Sequence, residues 1–315
     1  MDYPVPHKEC MVGFAYQDGG YGVPKTAADV VFMLPEGADV PQWNKNIEFF
    51  QQNAGNYELT HYFSAGEWLT GSINIPWVPA MLVSGAPFFI GQWCFERDAA
   101  NYHDSYWATL FVYLGQGLYL RFPDVKCNGG RFNFSYGSQV WMEVDITGIG
   151  DIITGAANDF NGVTRLTRQP YLFAETTISV AYGGALAADT YTKDHTIEWS
   201  NELLDPSDAG TLNSGTTPSL LPATARPQWS GRFDQIFHNT NVWDAFQAMT
   251  ECQLRMIVAR AGVATGTLLL PRIIHTNPNL TVPGDGVVEQ SPEWQALGGT
   301  GGAAAFSFSE TVPAP

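Results

Sequence analysis

The chain has 315 residues, with 31 acidic against 15 basic side chains and a formal net charge of −16. Residues 1–160 carry 17 acids against 7 bases and the remainder 14 against 8, so the charge is spread along the chain and is not an acidic tail. This balance excludes a protein that grips nucleic acid, whose affinity comes from cations on phosphates, but not one that lies beside nucleic acid without sticking.

Charged residues are few, whereas 10 Trp, 13 Tyr, 19 Phe, 32 Gly and 20 Pro describe a β-rich chain with many turns. The length allows two buried cores. The four cysteines (Cys10, Cys94, Cys127, Cys252) have no CxxC spacing and read as free buried thiols. Met1-Asp2-Tyr3-Pro4 lacks a basic and apolar export region, and Ile75 to Ile90 contains three prolines and is too short to span a bilayer. The expectation is a soluble chain made in the cytoplasm.

Taken in order, residues 1–45 read as an irregular N-terminal arm with a turn at Gly19-Gly20-Tyr21-Gly22-Val23-Pro24. No Gly-Lys pair exists, so no phosphate loop can be written. Ile47 to Phe50 and Glu58 to Phe63 read as strands. Leu69, Gly71, Ile73 and Ile75 then share one face, with Thr70, Ser72 and Asn74 opposite. Tyr106 to Tyr113 is apolar on both faces, as in a strand covered on both sides. Phe132, Phe134 and Tyr136 alternate with Arg131, Asn133 and Ser135. Val140, Met142, Val144 and Ile146 alternate with Trp141, Glu143, Asp145 and Thr147, giving one oily face and one with two carboxylates.

Gly148 to Arg168 is a Gly- and Asn-rich connector, which sets domains of 1–160 and 161–315. Strands follow at Thr176 to Tyr182 and Thr196 to Ser200, then a long loop from Asp205 to Pro227. A helix is predicted over 242–251, capped by Asn241, with Val242, Ala245, Phe246 and Met249 on one stripe. Gln253 to Arg260, Thr267 to His275 and Ala303 to Ser309 complete the strands.

Two stretches echo each other: Trp68-Leu69-Thr70-Gly71-Ser72-Ile73-Asn74-Ile75 and Trp229-Ser230-Gly231-Arg232-Phe233-Asp234-Gln235-Ile236, with glycines 160 residues apart. Ile47-Glu48-Phe49 and Ile197-Glu198-Trp199 form a second pair, 150 apart. Together they predict one mainly antiparallel unit, a sandwich or barrel with a flanking helix, made twice.

The chemistry-bearing residues are sparse. Six histidines show no metal-ligand spacing, and His103-Asp104 near Asp98 reads as a solvated turn before it reads as a site. Glu143 and Asp145 share a strand face, a pattern compatible with glycosidase carboxylates but commoner on a solvated strand. The aromatics could form a sugar-binding platform, although a core and an oligomer interface account for them better. Nothing demands an enzyme, a cofactor or a metal.

The order of features resembles the tail tube proteins of long-tailed bacteriophages. The resemblance rests on Asp18 to Pro24, on the Trp-x-x-Gly strand running into Pro76-Trp77-Val78-Pro79, and on Ser105-Tyr106-Trp107-Ala108-Thr109. It continues through Asp124-Val125-Lys126-Cys127-Asn128, Phe132-Asn133-Phe134-Ser135, the turn at Gly137 and the closing Val144-Asp145-Ile146-Thr147-Gly148, and extends more weakly through the second half. It implies two tandem tail-tube-type β domains in a virion protein that forms stacked rings around a hollow tube, through which viral DNA passes unbound. Such subunits usually carry one domain and form hexameric rings, so three copies of this chain would supply six positions. Implied partners are further copies of the chain and other tail proteins, such as the tape measure and terminator. Candidate lumen residues are Glu143, Asp145, Ser72, Asn74 and Asp234. Candidate contacts between subunits or rings are Phe14, Tyr16, Tyr21, Leu220 and Leu221. The rival readings are a tail terminator or baseplate hub, and a Trp-rich carbohydrate-binding or glycosidase β-domain.

Overall fold

The computed structural model describes residues 11–17, 20–26, 31–33, 37–50, 61–78, 91–95, 105–115, 117–155, 164–165, 169–208, 221–224, 227–260, 264–298 and 307–311. The described residues of the N-terminal segment do not form an irregular arm. They hold β1 (Met11–Tyr16), β2 (Val31–Met33) and the start of β3 (Gly37–Phe50). Val12 and Phe14 of β1 are buried, 4% and 3% exposed, and the Gly and Pro residues that suggested irregularity lie between the strands.

The chain continues through β4 (His61–Pro76), α1 (Gly91–Phe95), β5 (Ala108–Tyr113), β6 (Tyr119–Ser135), β7 (Trp141–Gly148), β8 (Ile153–Gly155) and β9 (Thr164–Arg165). Then come β10 (Thr176–Ala181), β11 (Ala187–Asp189), β12 (Thr192–Ser200), β13 (Gln228–Ile236), α2 (Asn241–Gln247), β14 (Cys252–Arg260) and β15 (Ala264–Asn277). Four short strands close it: β16 (Leu280–Thr281), β17 (Glu289–Gln290), β18 (Glu293–Ala296) and β19 (Ser307–Thr311). Among the described residues no helix is long and apolar enough to cross a membrane.

The protein is mainly β and its pairs are antiparallel, apart from β2 with β9. β6 is the spine. Its first half takes β5 on one edge and β8 on the other, and its second half takes β12 on the β5 side and β7 on the β8 side. The longest run of neighbours is β3-β4-β7-β6-β12-β13-β18-β15-β14-β10-β11. This sheet is open and does not close into a barrel. Its oily side is one contiguous core in which Phe14 of β1, Phe132 of β6, Ile197 of β12, Met256 of β14 and Trp294 of β18 all take part. Each fully buried side chain of this size contributes about 1.5–3 kcal/mol relative to exposure.

The pairing scheme occurs twice. In the first half two hairpins, β1–β2 and β3–β4, precede α1 and the meander β5–β6–β7, with β1 beside β5 and β4 beside β7. In the second, β10–β11 and β12–β13 precede α2 and the meander β14–β15–β18, with β10 beside β14 and β13 beside β18. β8 on the start of β6 is matched by β19 on the start of β15. Registers agree as well. Val125↔Gly148, Cys127↔Ile146 and Gly129↔Asp145 correspond, at a constant shift, to Ile273↔Ala296, His275↔Trp294 and Asn277↔Glu293, and both ladders carry an irregularity at the same step.

Gly71 faces Ile146 and Gly231 faces Trp294, the same place in each scheme. The Ile-Glu-aromatic triplets do not correspond. Trp199 faces Trp229, and the residue facing the equivalent Leu69 is Trp43, whereas Ile47, Glu48 and Phe49 lie farther out, opposite Ser64, Phe63 and Tyr62. Apolar-acid-aromatic is a pattern any half-buried strand produces, so it carries little register information.

α2 is shorter than expected. It begins with Thr240 at the N-cap position and ends at Gln247. Thr240 makes no side-chain cap bond to the backbone, and its hydroxyl donates to the Asp244 carboxylate instead, at 2.8 Å. Val242 and Ala245 are buried and Phe246 is partly covered, but Met249 is 77% exposed with φ +49°. That left-handed turn takes Met249 off the stripe.

Candidate functional site

On β7 the alternation holds from Met142 to Ile146, whereas Thr147, expected on the polar face, is buried at 5% exposure. Val140, just before the strand, and Met142, Val144 and Ile146 on it are buried, while Glu143 and Asp145 lie on the opposite face. Because opposed residues in an antiparallel pair point to the same side, the registers extend that face over neighbouring strands. One row runs Asn74, Glu143, Arg131, Glu198, Ser230, Gln295 across β4, β7, β6, β12, β13 and β18. The row beside it runs Ser72, Asp145, Gly129, Ser200, Gln228. Asp194 and Asp234 are paired farther along the same face. A groove of about 380 Å³ lies over these rows, lined by Arg131, Glu143, Asp145, Glu198, Gln228 and Ser230 among others.

The sequence placed Glu143, Asp145, Ser72, Asn74 and Asp234 on one polar surface, and the registers bring them to it. Arg131, Glu198 and Glu293 also belong to the surface and were missed. Their membership depends on pairing across as many as 67 residues, as in Arg131 with Glu198, which no local pattern reveals. Arg131 Nε donates to Glu143 at 2.6 Å, and Arg232 pairs with Asp234 at 2.7 Å. Six carboxylates (Glu143, Asp145, Asp194, Glu198, Asp234, Glu293) thus face two guanidinium groups. The Asp145 carboxyl is pushed above its usual range, first by partial burial and then by the Glu143 charge, with Arg131 acting against both. The face is acidic but not a uniform acidic stripe.

The proposed contact residues distribute differently. Phe14 is buried against Trp93, ring centroids 4.9 Å apart, and Leu221 is 1% exposed in a cluster with Trp107 and Ile149. Both are used inside the chain's own core, so neither has surface to offer a partner. Tyr16 is partly buried against Tyr106. Tyr21 is 46% exposed and leans on Trp107, and Leu220 lies outside the described residues.

Leu221 belongs to a clasp where the second half leaves β12. Lys126, 1% exposed, donates from Nζ to the Leu221 carbonyl at 3.0 Å and sits 4.1 Å from the Trp107 ring centroid. Asn201 donates to the carbonyls of Cys94 and Cys127, each at 2.9 Å, joining the end of β12 to α1 and β6. A Leu203–Ala223 bridge ties both ends of the loop between β12 and β13 to this place.

Cys94, Cys127 and Cys252 are free and buried, and Cys10 lies outside the described residues. Among the described residues no group of three His, Cys, Asp or Glu is arranged to hold a metal; Asp98, His103 and Asp104 are outside them. No protein-family model matches this chain, and no curated protein matches it.

Proposed function

We propose that the chain is a structural, non-catalytic virion protein that assembles into the tube of a phage tail. Each chain contributes two tandem β domains of one design, three chains complete a ring of six domain positions, and rings stack. The polar face of β4, β7, β6, β12, β13 and β18 lines the passage. The twice-used pairing scheme on an open sheet carries this reading, because it gives one chain two equivalent building blocks joined edge to edge. The acidic face supports it. Carboxylates there repel DNA phosphates within a screening length of about 8 Å at physiological salt, so a duplex passes without binding. Tape measure and terminator proteins are the further partners under this reading.

Sugar binding is less well supported. Trp77, Trp93, Trp107 and Trp229 are in the core, and Trp199, which borders the groove, is only 3% exposed, too little for its ring to serve as a stacking platform. Negative-stain electron microscopy of the purified chain tests the proposal. Rings with a central hole, or hollow filaments, are the expected result. A solution of monomers that binds oligosaccharide would overturn it.

A further inference from the structure

The first half ends on a pairing that has no partner in the second. The far part of β6 takes β12 along its edge, with Gly129↔Ser200, Asn133↔Thr196, Phe134↔His195 and Ser135↔Asp194. The constant shift relating β6–β7 to β15–β18 also relates Phe132↔Met142 and Asn133↔Trp141 to Leu280↔Gln290 and Thr281↔Glu289. The second-half counterpart of this part of β6 is therefore the segment 277–283, which includes β16. Among the described residues its outer edge pairs with no strand. The counterpart of β12 is β3, aligned through Asn74↔Gly37, Ile73↔Ala38 and Leu69↔Trp43 against Asp234↔Asp194, Phe233↔His195 and Trp229↔Trp199. β3 pairs only with β4 among the described residues, and it carries Pro41 at an irregular step, as edge strands do.

Side-chain exposure points the same way. Phe132 and Phe134 on β6 are 0% and 1% exposed, and Phe134, His195 and Phe233 stack in one row with successive centroids 5.8 Å and 4.5 Å apart. Their counterparts Leu280 and Val282 are 48% and 72% exposed. Two apolar side chains thus stand in water at inward-facing positions that are covered in the first half.

We propose that the occupant is a second copy of the chain: residues 277–283 of one copy pair antiparallel with β3 of the next. The contact repeats between chains the β6–β12 contact made within each chain. Its register sets Thr281 opposite Asp39, Val282 opposite Ala38 and Asn277 opposite Asn44, so that Val282 and Ile73 hold the positions equivalent to Phe134 and Phe233. The contact is head-to-tail, so every copy offers one edge and accepts one, and the array closes into a ring or runs on as a filament. The argument uses pairing alone and stands apart from the tube reading.

The test mixes two full-length variants, Asp39→Cys and Thr281→Cys, under mild oxidation. Opposed strand residues stand about 4.5–5.5 Å apart at Cα, within disulfide reach. A covalent dimer that requires both variants and stops at two chains is expected, whereas the double variant should give longer ladders. No cross-link, or one formed equally well by Asp39→Cys with Asp285→Cys, about 13 Å out of register, overturns the proposal. As a second measurement, Val282→Asp should weaken self-association at least about tenfold with the melting temperature of the unassembled chain unchanged. Association within twofold of the parent chain counts against the contact. Rings without the cross-link discard this contact and keep the tube, while cross-linked multimers that never form tubes keep the contact and discard the tube.

Discussion

Gly231 lies directly under Trp294. A Cβ at 231 would stand 2.3 Å from the Trp294 Cζ2 atom and 2.2 Å from the carbonyl oxygen of Thr196. Both distances are inside van der Waals contact, and one of the neighbours is backbone, so a larger residue must push β12 or β18 aside. Gly231→Ala should destabilise the fold by about 1–3 kcal/mol, read from the urea midpoint at unchanged slope. A change below about 0.5 kcal/mol would show that the indole swings away freely.

Two buried histidines make the fold acid-sensitive well above the carboxylate range. Burial depresses His195 to about 3 and His275 to about 4 from an ordinary value of 6.5. The unfolded chain therefore binds more protons below pH 6.5, and stability falls as pH falls from 6.5 towards 4. The slope approaches about 1.4 kcal/mol per pH unit for each histidine. Unfolding midpoints measured from pH 7 to pH 4.5 should decline on this slope, and His195→Leu should roughly halve it.

The helix stripe can be tested at both ends. Val242 is 1% exposed and Met249 is 77% exposed. Val242→Ala should cost about 1–2 kcal/mol, while Met249→Ser should stay within about 0.5 kcal/mol of the parent chain. Phe246, only partly covered, should fall below the 3–5 kcal/mol typical of a fully buried phenylalanine.

Charge reversal on the polar face should leave the fold intact and change its behaviour towards DNA. Glu143→Lys with Asp145→Lys adds two cations beside Arg131, which then lacks its carboxylate partner at 2.6 Å. The double variant should assemble as the parent does, yet retain duplex DNA in a manner that weakens steeply with salt. Under the proposed tube function, phage carrying it should eject DNA slowly or not at all; normal infectivity would remove these two residues from the proposed passage.

Much of this architecture could be read from local pattern. The alternation of β7 gave most of its buried and polar faces, and Gly71 and Gly231 of the echoed strands hold equivalent positions in the two pairing schemes, although Trp229 matches Leu69 and not Trp68. What could not be read was register at long range. Arg131 meets Glu143 and Glu198 only because β6 lies between β7 and β12. The triplets misled because strand alternation generates them repeatedly. Phe14 and Leu221 looked unplaced because both sit next to turn-forming residues, yet each is an anchor in the core. The end of α2 at Gln247 goes with the left-handed backbone of Met249 in the turn that follows, which composition does not encode.

β3 and β4 remain paired beyond the rest of the sheet, from Lys45↔Glu67 out to Phe50↔His61, where β4 has no contact with β7. Among the described residues the second half shows no such extension: β12 and β13 pair from Thr192↔Gln235 to Ser200↔Gln228, the step where β13 begins. A two-stranded ribbon of this kind is marginal by itself and twists strongly. With this one ribbon per chain among the described residues, the proposed three-chain ring, however sixfold its pairing, would present three long ribbons and three blunt sites around its rim. A neighbouring ring would then have only three equivalent seatings, 120° apart, and a sixfold cap could engage at most every second position in the same way.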